Sequence, residues 1–409
     1  IVLRSVLDKY QYLSKQDRAF MTRLVDGTIE YMLQLDYIID SFSKTKVRKM
    51  KPFIRNLLRM SVYQIKYMDA VPDSAVCNEA VKLAKRHKFA QLSGFVNGVL
   101  RNIARNIDSV QFDTLSIRYS MPQWIVDRFV AAYGEKKAEE IFKAFHSKST
   151  ISIRTNLTRC TPDELRATLE AEGVTVTAVD ELNYAFVISG FDYLNGLQSF
   201  RDGLFYVQDI SSMLVAQTAA PKKGDYVIDV CAAPGGKSTH IAELLRGSGH
   251  VFARDLTDNK VDMIEENIDR HGLNNMSAEV WDATVPDADS AGKADILICD
   301  LPCSGLGVLG RKKDIRYKMT PESVDELAAL QRQILDTVHT YVKPNGVLLY
   351  STCTIDEAEN EDNVRWFIEK HPEFELDKSF AEGTGMKQIL PGEHGSDGFF
   401  IARFIKSKL

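Results

Sequence analysis

No stretch of this 409-residue chain approaches the roughly 20 consecutive apolar residues needed to span a bilayer, and no signal-peptide pattern opens it. Cysteine is scarce. The six present lack the even spacing of a disulfide framework, and no Cys-x-x-Cys or His/Cys cluster of a zinc-holding kind occurs. The expectation is therefore no metal, free thiols and a reducing compartment, the cytoplasm. Around Gly235-Gly236 two nucleotide signatures are missing. The loop is neither the Gly-x-x-x-x-Gly-Lys-Ser/Thr phosphate loop, whose tail Gly236-Lys237-Ser238 repeats, nor the Gly-x-Gly-x-x-Gly dinucleotide fingerprint. A starting methionine is absent too: the chain opens Ile1-Val2-Leu3, and its native start is expected upstream.

The net charge of −5 conceals an asymmetry. Residues 41–110 hold 14 Lys or Arg against four acids, a balance of +10 that leaves −15 for the rest. Because this basic block also keeps helical apolar spacing, it reads as the surface of a folded domain and not as a tail. Such a surface concentrates polyanions and makes their binding salt-dependent.

The length allows two or three domains. Apolar residues recur at three- and four-residue intervals over 20–35, 53–67, 75–84 and 95–107, which predicts an all-α bundle over 1–110. Pro52 suits a first helical turn, and Asp73 or Ser74 is expected to cap the helix after Pro72. Over 111–203 the texture changes. A helix opens at Pro122 and contains Trp124 and Phe129, a strand runs Ile151-Ser152-Ile153-Arg154-Thr155-Asn156, a helix with Pro162 at its start covers 161–171, and strands cover 174–179 and 185–188. This is a small α+β domain of a kind used on RNA. From 204 to 409, apolar strands at 226–230, 250–253, 277–281, 296–299, 347–350 and 399–404 are separated by helices at 237–245, 260–271, 324–342 and 359–369. That order predicts an α/β domain with a parallel sheet covered on both faces. The last strand, after a long irregular stretch, is expected as an antiparallel insertion near the sheet edge.

Ligands bind at the carboxyl ends of strands in such a sheet. There the chain places Asp229-Val230-Cys231-Ala232-Ala233-Pro234-Gly235-Gly236-Lys237, whose small residues let a ligand approach the backbone. Asp255, 19 residues past Gly236, ends the second strand, Asp282 the third and Asp300 the fourth. Acids there repel a pyrophosphate but suit a cofactor with a ribose, an adenine and a cationic group, a description that S-adenosylmethionine fits.

Two cysteines 50 residues apart also follow buried strands: Cys303 in Asp300-Leu301-Pro302-Cys303-Ser304-Gly305 and Cys353 in Ser351-Thr352-Cys353-Thr354. Free cysteine is commonly an inert small hydrophobe, the reading taken for Cys77, Cys160 and Cys299. Two thiols at one sheet edge point instead to a nucleophile and a helper. These blocks, with the 229–237 loop and Gly395-x-x-Gly398-Phe399-Phe400, resemble in order and spacing the signature blocks of RNA cytosine-5 methyltransferases. The bundle resembles the NusB antitermination-factor fold, an RNA-binding module. The combination is similar to the bacterial RsmB (Sun/Fmu) family of small-subunit ribosomal RNA methyltransferases, whose catalytic part is Rossmann-like.

The resemblance implies roles. Cys353 is the nucleophile that adds to carbon 6 of cytosine, Cys303 assists breakdown of the adduct, and Asp300 hydrogen-bonds the base. Cys231, Ala232, Ala233, Pro234, Gly235, Gly236 and Lys237 line S-adenosylmethionine, Asp255 takes its ribose, Asp282 sits by its adenine, and Asp300 borders the same site. A helix beginning around Asp356 is expected to favour the thiolate. Leu301 replaces an alanine common in relatives and is expected to pack; Arg254 precedes the ribose acid where an apolar residue is commoner. The run Arg311-Lys312-Lys313-Asp314-Ile315-Arg316-Tyr317-Lys318 is expected to touch phosphates beside an unstacked target base, and Asp209 to cap a helix.

The expected partner is RNA, small-subunit ribosomal RNA first, either free or in an assembling subunit. The chain is expected to be a monomer with no membrane and no DNA partner. Transfer RNA as substrate, and a non-catalytic RNA-binding or assembly protein, remain as alternatives.

Overall fold

Successive side chains of a strand point to opposite faces of its sheet, so a strand covered on both sides is apolar at consecutive positions. The computed structural model describes all residues except Ile1, Gln11, Lys148, Ser149 and Leu409, and it shows this division. Val227, Ile296, Ile298 and Leu349 enter one apolar cluster with Ala216, Ile241 and Ile264 from helices. Their neighbours Ile228, Leu297, Cys299 and Leu348 enter a second with Ile334, Val338 and Phe367. Each such side chain contributes about 1.5–3 kcal/mol by leaving water.

Two compact units form: Ile1–His146 with Arg316–Lys318, and Ser147–Ile315 with Met319–Leu409. Among the described residues, no helix is long and apolar enough to cross a membrane. Helices Met32–Phe42, Pro52–Tyr67, Asp73–Arg86 and Ser93–Asn106 build the first unit's core from Ile38, Leu58, Val62, Ala80 and Leu100. The helix expected over 20–35 is two, Lys15–Glu30 and Met32–Phe42, broken at Tyr31, whose ring stacks on Tyr67 with centroids 4.3 Å apart. Apolar period alone cannot see that tertiary contact. Pro52 stands in the first turn as expected, but neither Asp73 nor Ser74 caps the next helix. Pro72 occupies the cap position there without a side-chain bond, and Asp73 is already helical. Helices Gln123–Tyr133 and Glu135–Phe145 belong to this unit, so the segment 111–203 is shared between the two units.

The basic run 311–318 is not one exposed surface. Within the first unit Arg316 is completely buried, donating to the carbonyls of Glu30 and Ser120 at 3.4 Å each. The hydroxyl of Tyr317 lies 3.2 Å from Ser120 Oγ. A guanidinium out of water needs such acceptors, and a charge count cannot reveal them.

In the second unit, β1 (Ile151–Thr155), β2 (Thr175–Val179), β3 (Leu182–Ser189) and β4 (Phe205–Val207) form an antiparallel sheet of order β2-β3-β1-β4. Helix Pro162–Ala171 packs on it, opened by a reciprocal capping box of Thr161 and Glu164. The larger sheet contains β5 (Tyr226–Asp229), β6 (His250–Asp255), β7 (Met276–Val280), β8 (Ala294–Asp300), β9 (Val342–Thr352), β10 (Phe374–Leu376), β11 (Met386–Ile389) and β12 (Phe399–Lys406). Its order is β10-β12-β9-β8-β5-β6-β7, with β11 also on β12. Strands β5 to β9 are parallel, and β12 lies antiparallel to β9, as expected. Strands β4, β10 and β11 have no counterpart in the expected set. At three or four residues each, they carry too little periodicity to read.

Candidate active site

Strand order reverses at β5: the chain goes to β6 and β7 on one side and to β8 and β9 on the other. A crevice opens at the carboxyl ends at such a point. The loop after β5 fills it closely. Gly235 takes φ +102°, which L side chains rarely adopt, and caps helix Gly236–Leu244. A Cβ on Gly236 would stand 3.1 Å from the Tyr206 ring. The loop, with Tyr206, Gln208, Asp229, Lys237 and Asp300, lines a cavity of about 240 Å³.

Asp229 is buried, and desolvation pushes its carboxyl up to about 7. One oxygen accepts from Ser238 Oγ at 2.5 Å while the other has no hydrogen-bond partner. Asp255 accepts from the Ala233 amide at 2.9 Å through one oxygen, and from the Leu256 amide and Lys260 Nζ through the other. Asp282 accepts from the amide and hydroxyl of Thr284, which hold its carboxyl below the usual range. Arg254 has a structural explanation. Its guanidinium pairs with Glu279 and Asp287 and lies 5.2 Å over the Trp281 ring, tying β6 to β7 and the turn beyond. Leu301 is buried in the core, as expected of a packing residue.

Strands β8 and β9 are adjacent and parallel, with Asp300 beside Ser351, so the segments leaving them run side by side. Cys303 and Cys353 are brought together, half-buried, with Sγ atoms 3.2 Å apart. Either sulfur can donate in this contact; with Cys303 as donor, the bond is the largest influence lowering the Cys353 pKa, Lys312 and Lys237 act the same way, and burial and Asp300 oppose them. Cys303 is held protonated, well above the ordinary thiol range, by that bond and by burial. Cys353 therefore ionises first. The expected helix near Asp356 is not the cause: the chain forms only a 3-10 turn there, Glu357–Glu359, and the helix begins at Glu361. Cys77, Cys160 and Cys299 are raised by desolvation, as inert cysteines are.

Lys237 does more than line the cavity. Burial opposes its charge, yet Asp300 at 2.6 Å, with Asp229 and Cys353 nearby, raises its pKa above the ordinary value. The other oxygen of Asp300 accepts from Ser351 Oγ at 2.8 Å. The 395–400 block closes over Cys353 by backbone contact: Gly307 donates to the Cys353 carbonyl at 3.1 Å, and Gly398 donates to Gly307 at 2.9 Å. A Cβ on Gly307 would stand 2.3 Å from the Gly398 carbonyl oxygen, so no side chain fits. Gly305-Leu306-Gly307-Val308-Leu309-Gly310 matches the letters of a dinucleotide fingerprint, but no helix follows it directly.

Residues that the reading of the sequence missed support this pair from behind. Glu359 is buried and raised by desolvation, and it accepts from the amide and hydroxyl of Ser304 at 2.8 and 2.5 Å. Gln331 donates to Glu359 and to the Pro302 carbonyl. Polar residues in amphipathic helices give no sign of pointing inward. Asp209 caps helix Ile210–Ala219 as expected, and with Asp397 it also holds Arg311, at 2.9 and 2.5 Å. Arg311 is thereby committed to carboxylates and not offered to phosphates.

Three family models match the chain: NusB family over residues 2–105, the ferredoxin-like domain of RsmF/B-like methyltransferases over 121–191, and 16S rRNA methyltransferase RsmB/F over 216–405. The Bacillus subtilis protein named "Probable ribosomal RNA small subunit methyltransferase B" is 38% identical, covering 99% of this chain and 94% of its own. Ribosomal RNA small subunit methyltransferase B of Cronobacter sakazakii is 31% identical over the same shares. The crystal structure of PH0851 superposes with a TM-score of 0.84 at 26% identity, over 99% of this chain and 93% of that one. Given this likeness along nearly the whole of both chains, the chain belongs to the family of ribosomal RNA small subunit methyltransferase B, S-adenosylmethionine-dependent methyltransferases with NusB and ferredoxin-like domains.

Proposed function

We propose that this chain methylates carbon 5 of a cytosine in 16S ribosomal RNA through a covalent Cys353 adduct. The observation that carries the reading is the pair of thiols 3.2 Å apart, one favoured as thiolate and the other held as thiol, beside the Lys237–Asp300 ion pair. Carbon 5 of cytosine is too weak a nucleophile to be alkylated directly. Addition of the Cys353 thiolate at carbon 6 forms the S–C bond and drives ring electrons toward nitrogen 3, leaving carbon 5 enamine-like. Asp300, held by Lys237 and Ser351, hydrogen-bonds the base and relays a proton from the Lys237 ammonium to nitrogen 3 as that charge develops. Bound S-adenosylmethionine supplies an electrophilic methyl group. The cavity suits it: small residues at 231–236 admit a ligand to the backbone, and the unpartnered oxygen of Asp229 offers an acceptor. Asp255, Asp282 and Asp300 are assigned to ribose, adenine and the reacting end. Water then takes the proton from carbon 5, the ring double bond re-forms, the S–C bond breaks, and the Cys303 thiol assists by hydrogen-bonding the departing Cys353 thiolate.

The exposed basic residues Lys44, Lys46, Arg48, Lys49, Lys85, Arg86 and Lys88 of the helical unit are assigned to RNA phosphates. The 16S substrate rests on the relatives' names; transfer RNA is the alternative. The chain is further read as a cytoplasmic monomer.

The test is an adduct assay with full-length protein, cofactor and 16S RNA. Cys303→Ala is expected to accumulate a protein–RNA species resistant to denaturing electrophoresis, and the Cys303→Ala/Cys353→Ala double variant none. An adduct that survives loss of Cys353 alone would overturn the assignment. Bisulfite mapping of treated 16S RNA and transfer RNA separates the two substrates.

A further inference from the structure

Helix Pro321–Val338 ends beside the carboxyl end of helix Glu361–Lys370, and three chemically unusual neighbours meet there: Asp336, His339 and His371. They lie apart from the cysteines, and the mechanism uses none of them. In sequence Asp336 and His339 are three residues apart and His371 follows 32 later, a spacing that no motif would single out. In space one ligand atom from each lies within 4.8 Å of the other two. The two imidazole rings lie with centroids 3.9 Å apart.

The protonation pattern suits ligation. His339 Nδ1 lies 2.8 Å from the Asp336 carbonyl oxygen. A ring N–H donated there leaves Nε2 as a bare lone pair, the arrangement that fixes tautomer and direction in metal-binding histidines. His371 is more than nine-tenths buried, and its Nε2 has no hydrogen-bond partner, although Asp336 Oδ1 is 3.1 Å away. Lys370 takes only the second oxygen of Asp336, at 2.8 Å. Glu373 Oε1, 3.7 Å from His339 Nε2, approaches His371 at Nδ1 (3.8 Å) and not at the Nε2 that faces Asp336, so water is left to complete the set. Tetrahedral zinc, at about 2.0–2.2 Å from its ligands, needs donors roughly 3.3 Å apart. Asp336 Oδ1 and His371 Nε2 stand 3.1 Å apart, and the three donors lie within 4.8 Å of one another, so side-chain rotation must close the rest.

We infer that Asp336, His339 and His371 bind a divalent transition cation of the zinc type, with water completing its coordination. Two imidazoles with a carboxylate suit zinc, cobalt or nickel, not magnesium or calcium. The ion would pin the ends of two helices that cover one face of the large sheet, a structural role separate from methyl transfer.

The test is titration of metal-free full-length protein with Co²⁺. Expected are one equivalent bound, tetrahedral visible bands without a thiolate charge-transfer band, displacement by Zn²⁺, and affinity weakened more than about tenfold in His339→Gln and His371→Ala. His339 keeps 16% of its side chain exposed, more than His371, so its variant is the one that decides if His371→Ala does not fold. No stoichiometric binding, unchanged binding in His339→Gln, or a thiolate band that disappears when the cysteines are alkylated would each overturn the inference.

Discussion

Cys303 and Cys353 share a hydrogen bond between sulfurs 3.2 Å apart, and with Cys303 as donor this bond is the largest influence lowering the Cys353 pKa. The two thiols are therefore unequal before any substrate binds. Alkylation of Cys353 by iodoacetamide is expected to show its pH midpoint below that of an ordinary cysteine. In Cys303→Ala the bond is gone, burial and Asp300 remain, and the midpoint moves to higher pH. Peptide-resolved mass spectrometry across a pH series reads this out. A midpoint unmoved by the substitution would place the cause elsewhere.

The Lys237–Asp300 pair at 2.6 Å gives the second prediction. Lys237→Met keeps the length of the side chain but removes the ammonium from Asp300 and from the neighbourhood of Cys353. Removing one preorganised charge partner from a reacting site costs about 10²–10³ in kcat. Methyl-transfer rates at saturating RNA are expected to fall by that order, with the circular-dichroism spectrum unchanged. A loss confined to cofactor affinity would return Lys237 to the lining role first expected of it.

Asp229 makes stability depend on pH. Its pKa is raised by desolvation to about 7 from the usual 3.8, so the folded state prefers the neutral acid. The associated stability is present in full below about pH 4 and is lost as pH rises through 7, on the order of 4 kcal/mol in all. Asn at this position can still accept from Ser238 and has no proton to lose. Asp229→Asn is therefore expected to gain on the parent protein steadily from pH 4 to pH 8 in urea-unfolding midpoints. Parallel pH curves for the two proteins would contradict the assignment.

What could be read beforehand follows from the range of each signal. Strands β5, β8 and β9 are apolar at consecutive positions, and burial on both faces writes itself into such runs. The acids at their ends and the two cysteines sit at fixed offsets from them, so the edge that gathers Asp229, Asp300, Cys303 and Cys353 was legible. The fate of the basic run 311–318 was not. Whether Arg316 meets solvent or the carbonyls of Glu30 and Ser120 depends on residues nearly 200 or more positions away. The cluster of Asp336, His339 and His371 was hidden for the same reason. Tyr31 is a milder case: the helix that apolar period alone would continue breaks there, where its ring stacks on Tyr67.

Arg154 shows how such long-range polar contacts hold the site. It lies on β1, is fully buried, and pairs with Glu243 at 2.8 Å while donating to Gln208 Oε1 at 2.6 Å and to the Gly236 carbonyl at 2.8 Å. One guanidinium thus fixes the start of helix Gly236–Leu244 against the small sheet. Arg154→Met leaves Glu243 charged, buried and held only by His271 Nδ1 at 3.2 Å, a loss of about 3–5 kcal/mol; replacing both partners with apolar residues is far less damaging. Urea unfolding is expected to show that loss for Arg154→Met and substantial recovery in Arg154→Met/Glu243→Leu. Methyl transfer should recover less than stability does, because the double variant still lacks the bond to Gly236, the residue whose backbone lines the cavity. Equal recovery of both would mean that the loop after β5 holds its shape without Arg154.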